Sequence, residues 1–451
     1  MRASMWRWAA CLCSSLMCLS VAAEVAYPPD LPRTLPPTPA WPQAPAVGQA
    51  ESLADLLSRV LPRDPQVRVA QSLLASTDER RVQARSRLGP TLSVVGSRGE
   101  SLDQDFGRNI DRSIDRAEAA LRWNLYNYGN DLAEFKGAQR DVQASREALR
   151  QAREEVAERV ADAYTGVLRV QDLLPQSAAR LASVRALVAQ VRRQAELGKA
   201  SDADAQQAQA SLLDAEIAHE QLLSDHDSAR QRLSVLVGGD ARPVLPVMLP
   251  DAALRAAASA AVPPLPAQVA AANARADAAR VRVRPLASLL APRVDFEYRQ
   301  RLSERTTPQV STQQRDGWLV TARWEFPVLG ENQARRAEGE RRAEAVEADA
   351  ERVLMSVQSE LATLPARLAN AQRAVAQLDR QIEQYQGLLR AGELQFEAGR
   401  RSLTQLVQLH ESLFNAEQRR AEQSARVLAT QLRQLALSGG LLPALGQDAI
   451  N

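Results

Sequence analysis

The stretch Arg122-Trp123-Asn124-Leu125-Tyr126-Asn127-Tyr128-Gly129 returns 201 residues later as Arg323-Trp324-Glu325-Phe326-Pro327-Val328-Leu329-Gly330. Other landmarks recur in the same order at nearly the same offset. Pro90 returns as Pro292, Gly198-Lys199-Ala200-Ser201 as Gly399-Arg400-Arg401-Ser402, and Ser211-Leu212 and Ala215-Glu216 as Ser412-Leu413 and Ala416-Glu417. Isolated coincidences are common in alanine-rich helices, but an ordered set at one offset marks an internal duplication. The chain is two copies of one plan.

Each copy reads as helix, short hairpin, very long helix, tight turn, helix. Asp64 to Leu88 is helical, with Leu73, Leu74, Thr77, Arg81, Val82 and Leu88 as a rough seam, and Gly89-Pro90 stops it. The period then changes from 3.6 to 2. Leu92 and Val94 alternate with Thr91 and Ser93, and Ala119, Leu121, Trp123 and Leu125 with Glu118, Ala120, Arg122 and Asn124. In the second copy Val294, Phe296 and Tyr298 alternate with Asp295, Glu297 and Arg299, and Trp318, Val320, Ala322, Trp324 and Phe326 with Leu319, Thr321, Arg323 and Glu325. The strands are expected at about 91–97, 114–125, 293–301 and 316–326. One apolar and one polar face with Trp and Tyr near the ends is the pattern of a membrane-spanning barrel strand, with Phe296, Trp318, Val320 and Trp324 toward lipid. A soluble hairpin with one buried face shares that periodicity.

The long helices favour the membrane. Between Gly129 and Leu197 the only strong breaker is Pro175, and Leu149, Val156, Val160, Ala163, Val167, Val170, Leu174, Leu181, Val184, Val188, Val191 and Ala195 step by threes and fours along a coiled-coil seam. At about 1.5 Å per residue such a helix extends about 100 Å, enough to cross a bacterial periplasm. Gly198 permits the left-handed turn, and Ser201 or Asp202 can cap the returning helix to about Val237. The second copy runs from Gln333 to Ala398, turns at Gly399-Arg400-Arg401-Ser402, and returns from Leu403 to about Leu437. Pro175 and Pro365 do not align under the repeat, and each predicts a kink.

At the N-terminus, Arg2 and Arg7 precede an apolar run from Trp8 to Val21 that ends at Val21-Ala22-Ala23, the pattern of a secretory signal peptide over 1–23. All three cysteines, Cys11, Cys13 and Cys18, lie inside it, so a mature chain from about Glu24 has no thiol. Cys18 is preceded by Met17 instead of the small residue a lipid anchor favours. Residues 24–50 form a proline-rich strap, 51–240 the first repeat, 241–265 a linker with a short Asp251-to-Ala261 helix, 266–440 the second repeat and 441–451 a tail. Without Arg2 and Arg7 the mature chain carries 54 basic and 54 acidic residues, so no global field gathers nucleic acid.

Catalytic constellations are missing. His219 and His226 stand seven apart, whereas a metal pair on a helix prefers three or four, and His410 is alone in sequence. Gly238-Gly239 leads into Asp240 and prolines, not into a phosphate-binding helix. Asp202 and Asp204 read first as cap and dipole partners of a helix start. No cofactor and no enzymatic activity are expected.

Over almost the whole mature length the chain resembles the TolC family of outer-membrane efflux proteins. Carrying the resemblance are Arg87-Leu88-Gly89-Pro90 and Leu289-Leu290-Ala291-Pro292 before each hairpin, the two Trp-to-Gly stretches quoted first, Ala163-Tyr164-Thr165-Gly166-Val167-Leu168, and Gly198 and Gly399 at the helical tips. Tyr126 stands where the family commonly has proline. The resemblance implies a mainly α fold with a small β part: a long α-helical periplasmic barrel joined to a twelve-stranded outer-membrane β-barrel, made by a homotrimer. It further implies an outer-membrane channel for efflux or type I secretion, working with a periplasmic adaptor (membrane fusion protein) and an inner-membrane pump or ABC transporter. Gly198, Lys199, Ser201, Gly399, Arg400, Arg401 and Ser402 would be the tips that meet the adaptor. Asp202, Asp204, Gln405 and Gln408 would lie at the periplasmic gate, where drug-efflux members carry aspartates six and nine residues beyond the second tip glycine and this chain has Gln405 and Gln408. Closure is expected to rest on Leu403, Leu406 and Val407, and on contacts of Arg400 or Arg401 with Asp202 or Asp204. A periplasmic adaptor or a structural coiled-coil protein are the rival readings; an adaptor needs only one hairpin, and a plain coiled coil leaves the alternating strands unexplained.

Overall fold

A computed structural model describes residues 51–105, 108–198, 200–239, 244, 265–283, 292–307, 316–324 and 330–447. The signal and strap segments, Lys199, the Asp251-to-Ala261 helix and Phe326 lie outside the described residues. The elements are α1 (Leu53–Val60), α2 (Pro65–Ser86), β1 (Thr91–Asp105), β2 (Arg108–Tyr126), α3 (Asn130–Glu196), α4 (Asp202–Val237), α5 (Ala267–Val283), β3 (Arg293–Thr307), β4 (Asp316–Arg323), α6 (Glu331–Glu397), α7 (Leu403–Leu437) and α8 (Leu441–Ala444). The duplication is visible in the backbone. α3 and α6 are each 67 residues, and positive-φ glycines punctuate both copies at Gly129, Gly198 and Gly238 and again at Gly330, Gly399 and Gly439. Pro175 and Pro365 sit inside α3 and α6, which remain continuous helices through them.

The four strands form one antiparallel sheet in the order β1-β2-β3-β4, so the two hairpins join through β2 and β3. Three strands outrun the alternating apolar positions: β1 and β2 pair from Thr91↔Arg122 as far as Asp105↔Arg108, and β3 reaches Thr307. The backbone ladder needs no apolar side chain to continue, so the polar stretch beyond the apolar band stays paired. A register shift between Asn124 and Tyr126 sets Tyr126, not Leu125, opposite Val294.

Along the helices α3 is the central member. It packs against α2 and α5 near the sheet and against α4 and α7 further on, and α6 packs against α5 and α7. Because α3 faces several neighbours, its buried set is wider than a two-helix seam, adding Ala157, Ala161, Tyr164, Leu173 and Leu187 to the expected Val156, Val160, Val167, Val170, Leu181, Val184, Val188 and Val191. The seam expected on α2 is only partly the buried one. Val67 and Ala84 are buried, Leu74, Thr77 and Arg81 of the expected set are half-buried with Thr77 Oγ1 3.1 Å from Ser145 Oγ of α3, and Leu73, Val82 and Leu88 are exposed in the isolated chain.

The largest core lies midway along α3. Leu53, Leu56, Leu57 and Val60 of α1, Val156 to Val167 of α3, Leu233 of α4, Leu432 and Leu435 of α7 and Leu441 of α8 pack into one cluster. Two segments are hydrogen-bonded to α3 there. Tyr164 Oη donates to the Glu51 carbonyl at 2.9 Å, Gln171 Nε2 donates to the Val244 carbonyl at 3.2 Å, and Glu51 forms a parallel bridge with Val244. Gln447 of the C-terminal segment donates to the Ala54 carbonyl at 3.2 Å. Nearby, Arg433 of α7 grips Glu360 of α6 through two bonds of 2.7 and 2.8 Å and also reaches Glu158 of α3, tying the two copies.

Glu154, one turn from Glu158, is buried with one carboxylate oxygen unpartnered, and burial raises its pKa from 4.5 to about 7 against the opposing pull of Arg150. The folded state therefore holds this proton more tightly than the unfolded one. Its contribution is whole below pH 4.5 and is lost as pH rises through about 7. Glu154→Gln should remove that slope and leave the protein roughly 2–3 kcal/mol more stable than wild type at about pH 8. Urea titrations across this range check it; an unchanged slope in the variant would assign the dependence to another group.

Candidate functional site

The sheet divides its chemistry between its faces. Direct pairing aligns Leu92, Leu121, Tyr298 and Trp318 in one row, Trp123, Phe296 and Val320 in the next, and Tyr126, Val294 and Ala322 in a third. Directly opposed residues share a face, so these rows make one apolar surface. Trp318 is 72% exposed, Val320 47% and Trp324, just past the end of β4, 54%, while Phe296 is half-buried between its neighbours. The opposite face carries ions. Glu297 Oε1 accepts from Arg122 Nε at 3.0 Å and from Arg299 Nε at 2.6 Å, Arg299 lies 3.8 Å from Glu118, and Arg293 donates to Asp295 at 3.0 Å. Arg122 and Glu118 belong to the first copy and the other four residues to the second. The alternation exposes a polar face, but only the register between β2 and β3 shows that it is a ladder across the duplication.

At the far ends of the long helices the two turns have one construction. Gly198 has φ +68° and its N–H donates to the Ala195 carbonyl at 2.9 Å; Gly399 has φ +70° and donates to the Phe396 carbonyl at 3.0 Å. Ser201 Oγ then accepts from the Asp204 N–H at 3.1 Å while the Asp204 carboxylate accepts from the Ser201 N–H at 3.1 Å, a reciprocal cap. In the second turn Ser402 Oγ accepts from the Gln405 N–H at 3.4 Å. Thr404 donates to Gln207 at 3.2 Å, linking α7 to α4. A Cβ added at Gly198 or Gly399 meets nothing within 4 Å, so the cost of a side chain there is backbone strain alone. Gly198→Val and Gly399→Val should each cost about 1 kcal/mol or more. The expected result is faster proteolytic nicking at the turn with unchanged amounts of extracted protein; equal protection would mean that the turn relaxes to negative φ.

The gate residues separate into exposed and packed. Leu403 and Leu406 are buried with Leu187, Val188, Val191 and Ala208, and Val407 packs against them, whereas Asp202, Gln405, Gln408 and Arg400 are exposed. The expected pairing of Arg400 or Arg401 with Asp202 or Asp204 is not formed within the chain. Arg401 Nη1 lies over Gly392 and donates to Gln395 at 3.4 Å, because its side chain folds back on α6, and Asp204 is engaged by Ser201. Of the histidines, His219 shares a 3.0 Å hydrogen bond with Ser177. His410 is buried beside Arg180, and burial together with that cation lowers its pKa to about 4. Among the described residues no group of three or more His, Cys, Asp or Glu is placed to hold a metal.

The model of the family described as outer membrane efflux protein matches residues 56–239. No curated protein matches the chain by sequence. Solved structures share its fold. The outer membrane protein VceC of Vibrio cholerae is 17% identical with a TM-score of 0.75, over 87% of this chain and 96% of that one. The CmeC outer membrane channel of Campylobacter jejuni is 11% identical with a TM-score of 0.75, over 86% of each chain. The open-state MtrE outer membrane channel of Neisseria gonorrhoeae is 17% identical with a TM-score of 0.65, over 87% of this chain and 88% of that one. Within the single chain, the mainly α fold with a small β part is the one expected: two strand pairs, each followed by a very long helix, a glycine turn and a returning helix.

Proposed function

We propose that the chain, whose residues 56–239 match the outer membrane efflux protein model, is a member of that family and forms the exit duct of an efflux or secretion assembly as a homotrimer, without enzymatic activity of its own. The supporting observation is the sheet: four strands with one apolar and one ion-bearing face, joined directly to helices of 67 residues. Four strands cannot close a barrel, and lipid tolerates no open strand edge, so several copies must share one barrel. Exposed Val69 and Leu73 on α2, Leu213 and Ile217 on α4 and Met355 and Leu394 on α6 suit such self-association. Energy for transport comes from an inner-membrane pump or ABC transporter, and a periplasmic adaptor meets the turns at 198–201 and 399–402. Transport through the duct itself is passive.

The experiment has two arms. Detergent extraction of the outer-membrane fraction should yield a trimer; a protein soluble without detergent would favour an adaptor or a coiled-coil protein. In planar bilayers, divalent cations on the helical side should block the wild type weakly, since the amides of Gln405 and Gln408 attract hard cations poorly, and block a Gln405→Asp, Gln408→Asp variant strongly. Strong block of the wild type, unchanged in the variant, would place the governing charges elsewhere.

A further inference from the structure

Near the sheet, α3 carries its charges unevenly on its two open sides. One groove, of about 600 Å³, includes Arg87, Glu134, Asp141 and Arg282 in its lining. Both of its carboxylates are paired, Glu134 with Arg87 and Asp141 with Arg282, while Arg80 also lines it. The groove on the other side, of about 750 Å³, is lined by Arg81 of α2 and by Lys136, Arg140 and Arg146 of α3, with Gln139 and Gln143 between them and no carboxylate in its lining. Arg81 is held by Asp78 at 3.0 Å and Arg140 donates to Gln143 at 2.9 Å, while Lys136 and Arg146 have no partner among the described residues. Leu132, Lys136, Gln139, Gln143 and Arg146 follow one another by fours and threes, so they form a single exposed stripe.

The position of this groove suggests its ligand. β2 ends at Tyr126 and α3 begins at Asn130. At 1.5 Å per residue, Lys136 and Arg140 stand about 9 and 15 Å along the helix axis, and helical side chains lean toward the N-terminus, here toward the sheet. A bilayer headgroup region is roughly 5–8 Å deep on each side of the hydrocarbon. A smaller cavity of about 370 Å³ is lined by both Trp123 and Leu132, and Gly129 and Leu132 border it and the cationic groove alike. Trp123 belongs to the apolar rows of the sheet. The cationic groove therefore starts where the apolar surface stops. Its lining comes from α2, α3 and α5 of one chain.

We propose that this groove holds the phosphate of an anionic phospholipid from the leaflet next to the helices, with Lys136 and Arg140 as the contacting groups and Arg81 and Arg146 supplying field. The inference rests on the apolar face of the sheet lying in lipid. Each basic group near an anionic surface changes affinity by about fivefold, so loss of two should weaken retention on the order of twentyfold.

The test uses the full chain extracted from membranes in detergent. Native mass spectrometry follows its binding of phosphatidylglycerol and of phosphatidylcholine for wild type, Lys136→Gln/Arg140→Gln and Arg390→Gln, the last removing a charge far along α6. Preference for phosphatidylglycerol, lost about twentyfold in the double variant and kept in Arg390→Gln, is expected. Equal binding of both lipids, or equal loss in the distant variant, overturns the proposal, as does displacement of the lipid by inorganic phosphate at matched concentration. Quenching of tryptophan fluorescence by brominated lipid reports sheet insertion separately. Quenching without lipid preference refutes the groove alone, and absence of quenching refutes the membrane placement beneath it.

Discussion

Val320→Arg should abolish most of the folded, assembled protein in the outer membrane. Val320 pairs with Phe296 across β4 and β3 and stands between Trp318 and Ala322 on the apolar face. Arginine near the midplane of a barrel's lipid surface costs about 2–4 kcal/mol, and the cost recurs in every copy that contributes to one barrel. Thr321→Arg places the same charge one residue away on the ion-bearing face, next to Asp295, and should be tolerated. Semi-native electrophoresis of detergent extracts, with a denaturant midpoint for whatever assembles, reads both variants. A wild-type level of folded oligomer in Val320→Arg would sink the lipid-facing assignment of Phe296, Trp318 and Trp324 along with it.

Tyr164→Ala should be the most damaging single truncation in the helical part. Tyr164 is fully buried at the centre of the cluster joining α1, α3, α4, α7 and α8, and its hydroxyl holds the Glu51 carbonyl. Removing a buried aromatic side chain costs about 3–5 kcal/mol, since the space left behind collapses only in part. Tyr164→Phe keeps the ring and loses the bond, for about 1 kcal/mol. Guanidinium unfolding followed by circular dichroism separates the two. If Phe proves as costly as Ala, the hydrogen bond to the N-terminal segment outweighs the packing.

Legibility from sequence followed the range of the interaction. The second tip helix was read as Leu403 to Leu437 and stands at Leu403–Leu437, because a glycine turn, a serine cap and a helical period are all local signals. Three of the four strands, β1 to β3, run past their expected ends, because alternation marks only the part that faces an apolar medium, whereas Glu100 to Asp105 pair through backbone groups that carry no compositional mark. The seam on α2 is legible only in part, for a related reason. Leu73 and Val82 look like core, yet which side of a helix meets its neighbour depends on where α3 passes. Arg401 was assigned an acidic partner from charge alone, and the fold gave it Gln395.

By itself the sequence determined the duplication, the order of elements, the glycine turns at Gly198 and Gly399, and the two-faced character of the strands. These follow from periodicity and backbone sterics, which act over a few residues. Only the tertiary structure decided that β2 pairs with β3, so that Arg122 of one copy meets Glu297 of the other. It alone gathered Glu51, Val244 and Leu441 around the middle of α3. It alone divided the charges of α3 into one matched groove and one unmatched groove. Those arrangements join residues far apart in the chain, and whether two such residues meet depends on packing that no local pattern encodes.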